Sequence, residues 1–196
     1  LRFTVSVDDG HPLDLRVADL LERHGLQATF YLPVSNAEGL PVMAPSDARR
    51  LASRFEVASH TLSHRFLASL DDDTARMQVS DGKRRLEDWL GAPVRGFCYP
   101  GGRYRRRHVA MVREAGFAYA RTTQNLRLDT GRLPYEMPTT LQFYPHPRPV
   151  LARNLLSQGD RAARLPAFMT AMAGDNWLDR AYRLLALAAR RGGVFH

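Results

Sequence analysis

Apolar and polar positions along the chain switch repeatedly between a period of two and a period near 3.6, which predicts alternating strands and helices. Residues 2–7 are a β-branched, strand-like run, and residues 14–24 carry apolar positions at helical spacing up to Gly25, a natural helix stop. Residues 27–32 read as a strand halted by Pro33, and Pro45-Ser46-Asp47 opens a short helix. A strand over 55–58 follows, then a long amphipathic helix over 73–90 that stops at Gly91. Residues 94–99 read as a strand broken by Pro100-Gly101-Gly102, residues 105–115 as a helix ending at Gly116, and residues 117–120 as a strand. A turn-rich stretch leads to a strand over 138–143 ending near Pro145. Residues 150–190 read as mostly helical, and Val194-Phe195-His196 opens a last strand.

This alternation predicts an α/β chain of parallel strands joined by helical crossovers, a single domain over residues 1–196. In such folds chemistry gathers at the carboxyl ends of the strands. The polar candidates fall there: Asp8 and Asp9 after the first strand, His60 and His64 after the third, Tyr99 to Gly102 after the fourth, Arg121 after the fifth.

Composition narrows the class further. With 44% hydrophobic residues the chain can build a sizeable core. It has no run of about 18 apolar residues, so no membrane-spanning helix is expected. No signal-peptide pattern precedes the first strand, although the abrupt start leaves room for trimming at either end. The single cysteine, Cys98, allows no internal disulfide and fits a reducing compartment, so a cytoplasmic location is expected. The formal charge is +8, nearly all from arginine, since Lys83 is the lone lysine. Without an aromatic-interleaved basic stripe, the charge reads as a solvated face, and no specific nucleic-acid partner is expected. Oligomeric state leaves no signature.

The candidate chemistry lies in three short motifs. Val7-Asp8-Asp9-Gly10 ends a strand in two adjacent carboxylates, which resist joint ionisation unless a cation compensates. One metal ligand and one general base is the natural division of labour, and an ordinary Asp-Gly turn is the plain alternative. His60-Thr61-Leu62-Ser63-His64 places two imidazoles on one side of a helical turn or compact loop, a common zinc geometry; two surface histidines are the plain alternative. Thr61 and Ser63 are candidates to brace that turn. Tyr99-Pro100-Gly101-Gly102 makes a tight loop whose amides can face a developing oxyanion; an ordinary strand-to-helix turn is the plain alternative. Cys98 reads as core. His11 and Arg121 are weaker candidates, for the site rim and for orienting a carboxylate. His146 reads as a loop residue, and Trp89 and Trp177 as helix-packing residues.

Together these motifs resemble the polysaccharide deacetylase family (NodB-homology, carbohydrate esterase family 4). Asp8-Asp9-Gly10 matches its first motif, His60-Thr61-Leu62-Ser63-His64 its second, and Tyr99-Pro100-Gly101-Gly102 its third in looser form, over roughly residues 2–121. The resemblance implies a distorted (β/α)7 barrel and a divalent metal, usually Zn2+, with Co2+ or Ni2+ as alternatives. It implies Asp9, His60 and His64 as metal ligands and Asp8 as the base that activates metal-bound water. That water attacks an N-acetyl or O-acetyl carbonyl of an acetylated sugar or oligosaccharide, with the oxyanion on the metal and the Gly101 amide. His11, Tyr99, Pro100 and Gly102 are then expected to line the substrate. Three departures stand out. Cys98 or a neighbour replaces the arginine that begins the third motif, so Arg121 is expected to take its role. No Asp-Trp pair matches the fourth motif. The family's general-acid histidine is either His196 or a residue past the end of this sequence. Allantoinase-like hydrolysis of another C–N bond, or non-catalytic binding of carbohydrate or polyanion, are the alternative functions.

Overall fold

A computed structural model describes residues 1–144 and 146–196. The strand expected over 2–7 is two pieces, β1 (Arg2–Phe3) and β2 (Val5–Val7), parted at Thr4. By its contacts the chain forms two compact units. A sheet unit holds Val5–Arg121 with Pro134–Glu136, and a helical unit holds Leu1–Thr4, Thr122–Leu133 and Met137–His196.

The sheet unit alternates as the pattern predicts. After β2 come α1 (Asp14–Arg23), β3 (Ala28–Leu32), α2 (Pro45–Ala52) and β4 (Glu56–Ser59). Then follow α3 (Asp72–Leu90), β5 (Gly96–Cys98), α4 (Arg106–Glu114) and β6 (Tyr119–Arg121). Local chemistry sets the ends. Pro45 opens α2, the Asp71 carboxylate accepts from the Thr74 amide at 2.8 Å to cap α3, and Gly91 closes α3 at φ +64°. All five strands are parallel, in the order β2-β3-β4-β5-β6.

Period-two alternation gives this sheet two different faces. Val5, Val7, Phe30, Leu32, Val57, Phe97 and Ala120 face the helices and build the main core with Ala48, Leu51, Val79, Leu86 and Val112. The opposite face carries Tyr31, Ala58, Cys98 and Tyr119, a smaller cluster at the foot of the site. Gly96 belongs there too: a Cβ would stand 2.4 Å from the Tyr119 hydroxyl, so only glycine lets that ring lie across the sheet.

In the helical unit β1 pairs in parallel with β7 (Val194–Phe195), and Phe3 stacks on Phe195 at 5.6 Å. The helical stretch expected over 150–190 is three helices: α5 (Arg148–Ser157), α6 (Arg161–Met172) and α7 (Trp177–Arg190). Gly159 and Asp160, both at positive φ, break the first pair. Leu126, Leu151, Ala167, Ala171 and Leu184 form the core of this unit. Arg164 is wholly buried, and burial lowers its pKa to about 10. Its guanidinium donates to the carbonyls of Asn125 and Asn154 and to the side chains of Asn125 and Gln158.

The strand expected over 138–143 does not form among the described residues, and its expected end at Pro145 lies outside them. The backbone bonds there are scattered: the Thr139 amide donates to Gln124, the Thr140 and Leu141 amides to His196, and Leu126 and Arg127 donate back to Thr140 and Thr139. Among the described residues no single neighbour offers a ladder. No helix among the described residues is long and apolar enough to cross a membrane.

Candidate metal and catalytic site

The inner face of the sheet unit ends in the candidate residues. Asp8 continues the alternation past β2 on the Tyr31 side. Asp9 should then point to the helices, but its backbone turns into the left-handed region at φ +74°, followed by Gly10 at φ +63°. That turn brings both carboxylates to one place. Gly10 is also sterically required, since a Cβ would lie 3.1 Å from Leu32 Cγ and 3.2 Å from Pro33 Cδ.

The two histidines come from a compact loop after β4, not from a helical turn. Thr61 and His64 both sit at positive φ, +72° and +57°. A β-branched residue in that region is strained, so the surroundings must impose it. Several bonds do so. The Leu62 amide donates to the Gln78 carbonyl at 2.9 Å, and the Val34 and Ser35 amides donate to the Leu62 carbonyl. Gln78 Oε1 accepts from both the amide and the hydroxyl of Ser63, at 3.0 and 3.1 Å. Helix α3 can come this close because Gly82 has no side chain: a Cβ would stand 2.7 Å from Leu62 N and from Thr61 C.

The result is a tight donor set. Asp9 Oδ1 lies 3.4 Å from His60 Nε2 and 3.1 Å from His64 Nε2. Four ligands held about 2.0–2.1 Å from a zinc ion would be about 3.3–3.4 Å apart along the edges of their tetrahedron. Both separations lie close to that edge and the third pair of donor atoms lies within 4.8 Å, so the three protein donors fit a divalent metal and leave positions open. His60, 1% exposed, donates its Nδ1–H to the Cys98 carbonyl at 2.8 Å, which assigns the tautomer and leaves Nε2 bare toward Asp9. The imidazoles of His60 and His64 beside it hold the Asp9 carboxyl well below the usual range. The Asp9 carboxylate, as acceptor, in turn raises His64.

Asp8 sits beside this set. Arg121 Nη2 donates to both of its carboxylate oxygens and lies 3.0 Å from Cys98 Sγ. Cys98 and Arg121 are register partners on β5 and β6, so their side chains share a face, and the guanidinium rests 5.0 Å above the Tyr31 ring. The small thiol of Cys98 leaves the room that the Arg121 head fills. Burial pushes the Asp8 carboxyl up, but Arg121 and His60 outweigh it and keep the pKa below its ordinary value. Cys98 is fully buried, and burial pushes its thiol well up, which agrees with a core role.

The remaining candidates are placed differently. Gly101 lies in an exposed turn at φ +58°, where a Cβ would meet Phe66 Cε1 at 2.8 Å. Phe66 stands edge-on to His64 and carries the Arg103 guanidinium 4.6 Å above its ring. The Gly102 amide donates to the Tyr99 carbonyl. Tyr99 and Pro100, expected to line the substrate, are buried instead. Alternation turns Tyr99 to the helix side, where it stacks on Tyr104 at 4.2 Å and its hydroxyl donates to the Tyr135 carbonyl. His11 Nδ1 accepts from the Leu13 amide at 3.1 Å, a local bond at the start of α1. His196 belongs to the helical unit, where its Nδ1 lies 2.9 Å from the Thr4 hydroxyl and its amide donates to Thr140 Oγ1. In that unit the His146 carbonyl accepts from Arg180, and Trp177 Nε1 donates to the Gln142 carbonyl. Gln78, Gly82 and Phe66 escaped the sequence reading. Only Gly82 left a clue there, as an isolated glycine inside a helical pattern.

Two curated Bacillus cereus proteins named peptidoglycan-N-acetylglucosamine deacetylase are similar over 58% of this chain, at 26% and 28% identity, and the match covers 52% and 41% of their own lengths. The chain thus spans about half the length of the curated relatives it matches. Among solved structures, the Streptococcus pyogenes deacetylase PplD in complex with acetate superposes with a TM-score of 0.63 at 16% identity, covering 69% of this chain and 62% of that one. The deacetylase domain of BpsB from Bordetella bronchiseptica gives 0.59 at 17% identity, with 70% of each chain covered. A Bacillus cereus polysaccharide deacetylase gives 0.58 at 22% identity, covering 70% and 46%. These likenesses show the fold, an α/β distorted barrel of parallel strands with outer helices. The sequence profile of polysaccharide deacetylases matches residues 3–120, more than half of the chain, so the chain belongs to the polysaccharide deacetylase family.

Proposed function

We propose that this chain is a metal-dependent carbohydrate deacetylase that cleaves an N-acetyl group from an amino sugar of a glycan, releasing acetate and a free amine. The observation that carries this reading is the spacing of Asp9 Oδ1, His60 Nε2 and His64 Nε2 beside an Asp8 carboxylate held by Arg121. Asp9, His60 and His64 would hold the ion. When bound, a divalent metal such as zinc polarises the acetyl carbonyl and makes water more acidic.

The other tasks fall to the chain's own groups. Asp8 stays ionised across the working pH range because Arg121 and His60 favour its charged form, so it is available to accept a proton from the attacking water. Arg121 fixes the direction of that carboxylate, a task that family members give to an arginine in the third motif. The new C–O bond forms first, and the negative charge gathering on the carbonyl oxygen is offered the Gly101 amide; the C–N bond then breaks as the proton held by Asp8 passes to the leaving amine. The names of the curated relatives support an N-acetylglucosamine-containing polymer as substrate.

The test combines metal analysis with product analysis. Protein loaded with zinc, cobalt or nickel and then desalted should retain one ion per chain. It should release acetate from chito-oligosaccharides or from peptidoglycan. A chain that retains no metal at neutral pH, or that holds metal yet opens a cyclic ureide without releasing acetate, would defeat the proposal.

A further inference from the structure

The two candidate metal-binding histidines are supported unequally. His60 has an acceptor for its distal ring nitrogen in the Cys98 carbonyl. His64 has none: its Nδ1 is buried without a hydrogen-bond partner, on a side chain only 10% exposed. A neutral imidazole that offers Nε2 to a metal must carry its proton on Nδ1, and a buried N–H with no acceptor is costly.

One group stands within reach. Glu38 Oε1 lies 3.8 Å from His64 Nδ1, too far for a hydrogen bond but closable by a small rotation of a flexible side chain. The backbone around Glu38 is already fastened to the histidine loop. The Ala37 amide donates to the Ser63 carbonyl at 3.0 Å, the Glu38 amide to Asn36 Oδ1 at 2.7 Å, and Gly39 turns the chain at φ +79°. Among the described residues, His64 is the one basic side chain in ion-pair range of the Glu38 carboxylate. Charge balance points the same way. Asp8 is neutralised by Arg121, so Asp9 alone leaves a divalent ion half compensated, and Glu38 supplies the second negative charge.

We propose that Glu38 is a positioning residue for the metal: it accepts the His64 Nδ1–H, fixes the ring with Nε2 toward the ion, and makes that nitrogen a better donor. The proposal rests on the metal reading above and adds a specific residue to it.

Zinc affinity of the purified chain, measured by competition with a chromophoric chelator, tests it. Glu38→Ala should weaken zinc binding about 10- to 100-fold, and Glu38→Gln, which keeps an acceptor oxygen, should lose less. The melting temperature of both metal-free variants should match that of the wild type. In the zinc-loaded wild type, nitrogen-detected NMR should show a protected His64 Nδ1–H that disappears in Glu38→Ala. Unchanged zinc affinity in Glu38→Ala overturns the role of Glu38 alone. So does a weakening matched by a lower metal-free melting temperature with the Nδ1–H signal intact, because that marks a merely structural loop. A wild type that binds no zinc overturns the metal reading and this role with it.

Discussion

Asp8 and Asp9 are neighbours in sequence and differ completely in environment. Asp8 is gripped by a guanidinium, while Asp9 faces two imidazoles. Asp8→Asn should therefore lower the deacetylation rate by about 10²- to 10⁴-fold while zinc stays bound, as rate and metal content measured together will show. Arg121→Ala should also slow the reaction with zinc retained; a variant with wild-type rate would remove Arg121 from its orienting role. Asp14 offers a test by pH. Burial raises its pKa to about 6, and its Oδ2 is buried without a hydrogen-bond partner. The unfolded chain ionises this carboxyl near pH 3.9, so folding stability falls as pH rises from there through about 6 and stays reduced above. In metal-free protein, Asp14→Asn should raise the melting temperature at pH 7.5, and the gain should shrink toward pH 4. A gain independent of pH would show that Asp14 does not carry this penalty. At this scale the sequence was informative about residue types and blind to partners. Glu38 and Gln78 differ little from other polar residues until their neighbours are known, whereas Arg121 stood out by its place at a strand end.

Among the elements, helix α3 does more than cover the sheet. Its Gln78 and Gly82 hold the strained histidine loop in place. An exposed helix-interior glycine replaced by alanine gains up to about 1 kcal/mol. Gly82→Ala should do the reverse, costing about 1–3 kcal/mol, because its methyl group meets the loop backbone rather than a movable side chain. Zinc affinity should fall with it, and a higher melting temperature in this variant would refute the bracing role. Helices were legible because their apolar stripe and stops are local signals, as with Gly91 on α3. Strands were legible in kind but less so in extent. Residues 138–143 alternate like a strand, yet among the described residues no neighbour provides a ladder. The fifth sheet strand runs over Tyr119–Arg121 rather than 117–120, and that shift puts Arg121 in register with Cys98.

For the whole molecule, metal and stability should be linked. If the folded chain alone assembles Asp9, His60 and His64, free zinc at 100 times its dissociation constant adds about 2.7 kcal/mol. For a chain of this size that is a rise in melting temperature of about 5–10 °C. Thermal scans with zinc and with chelator check it, and identical curves would count against a preformed site. The sequence by itself determined the α/β alternation, the family, and the residue types at the strand ends. Hydrophobic period, capping and turn chemistry are written within short windows, and the Asp-Asp-Gly and His-x-x-x-His spacings carry their own meaning. Tertiary structure alone decided which of those residues meet. The left-handed turn at Asp9 redirects a carboxylate that strand alternation would have sent to the helices. The register of β5 against β6 delivers Arg121 to Asp8 from a neighbouring strand. The burial of Tyr99 takes an expected substrate contact into the core. Each outcome depends on register, packing and backbone sign between segments distant in sequence, and no local pattern encodes those.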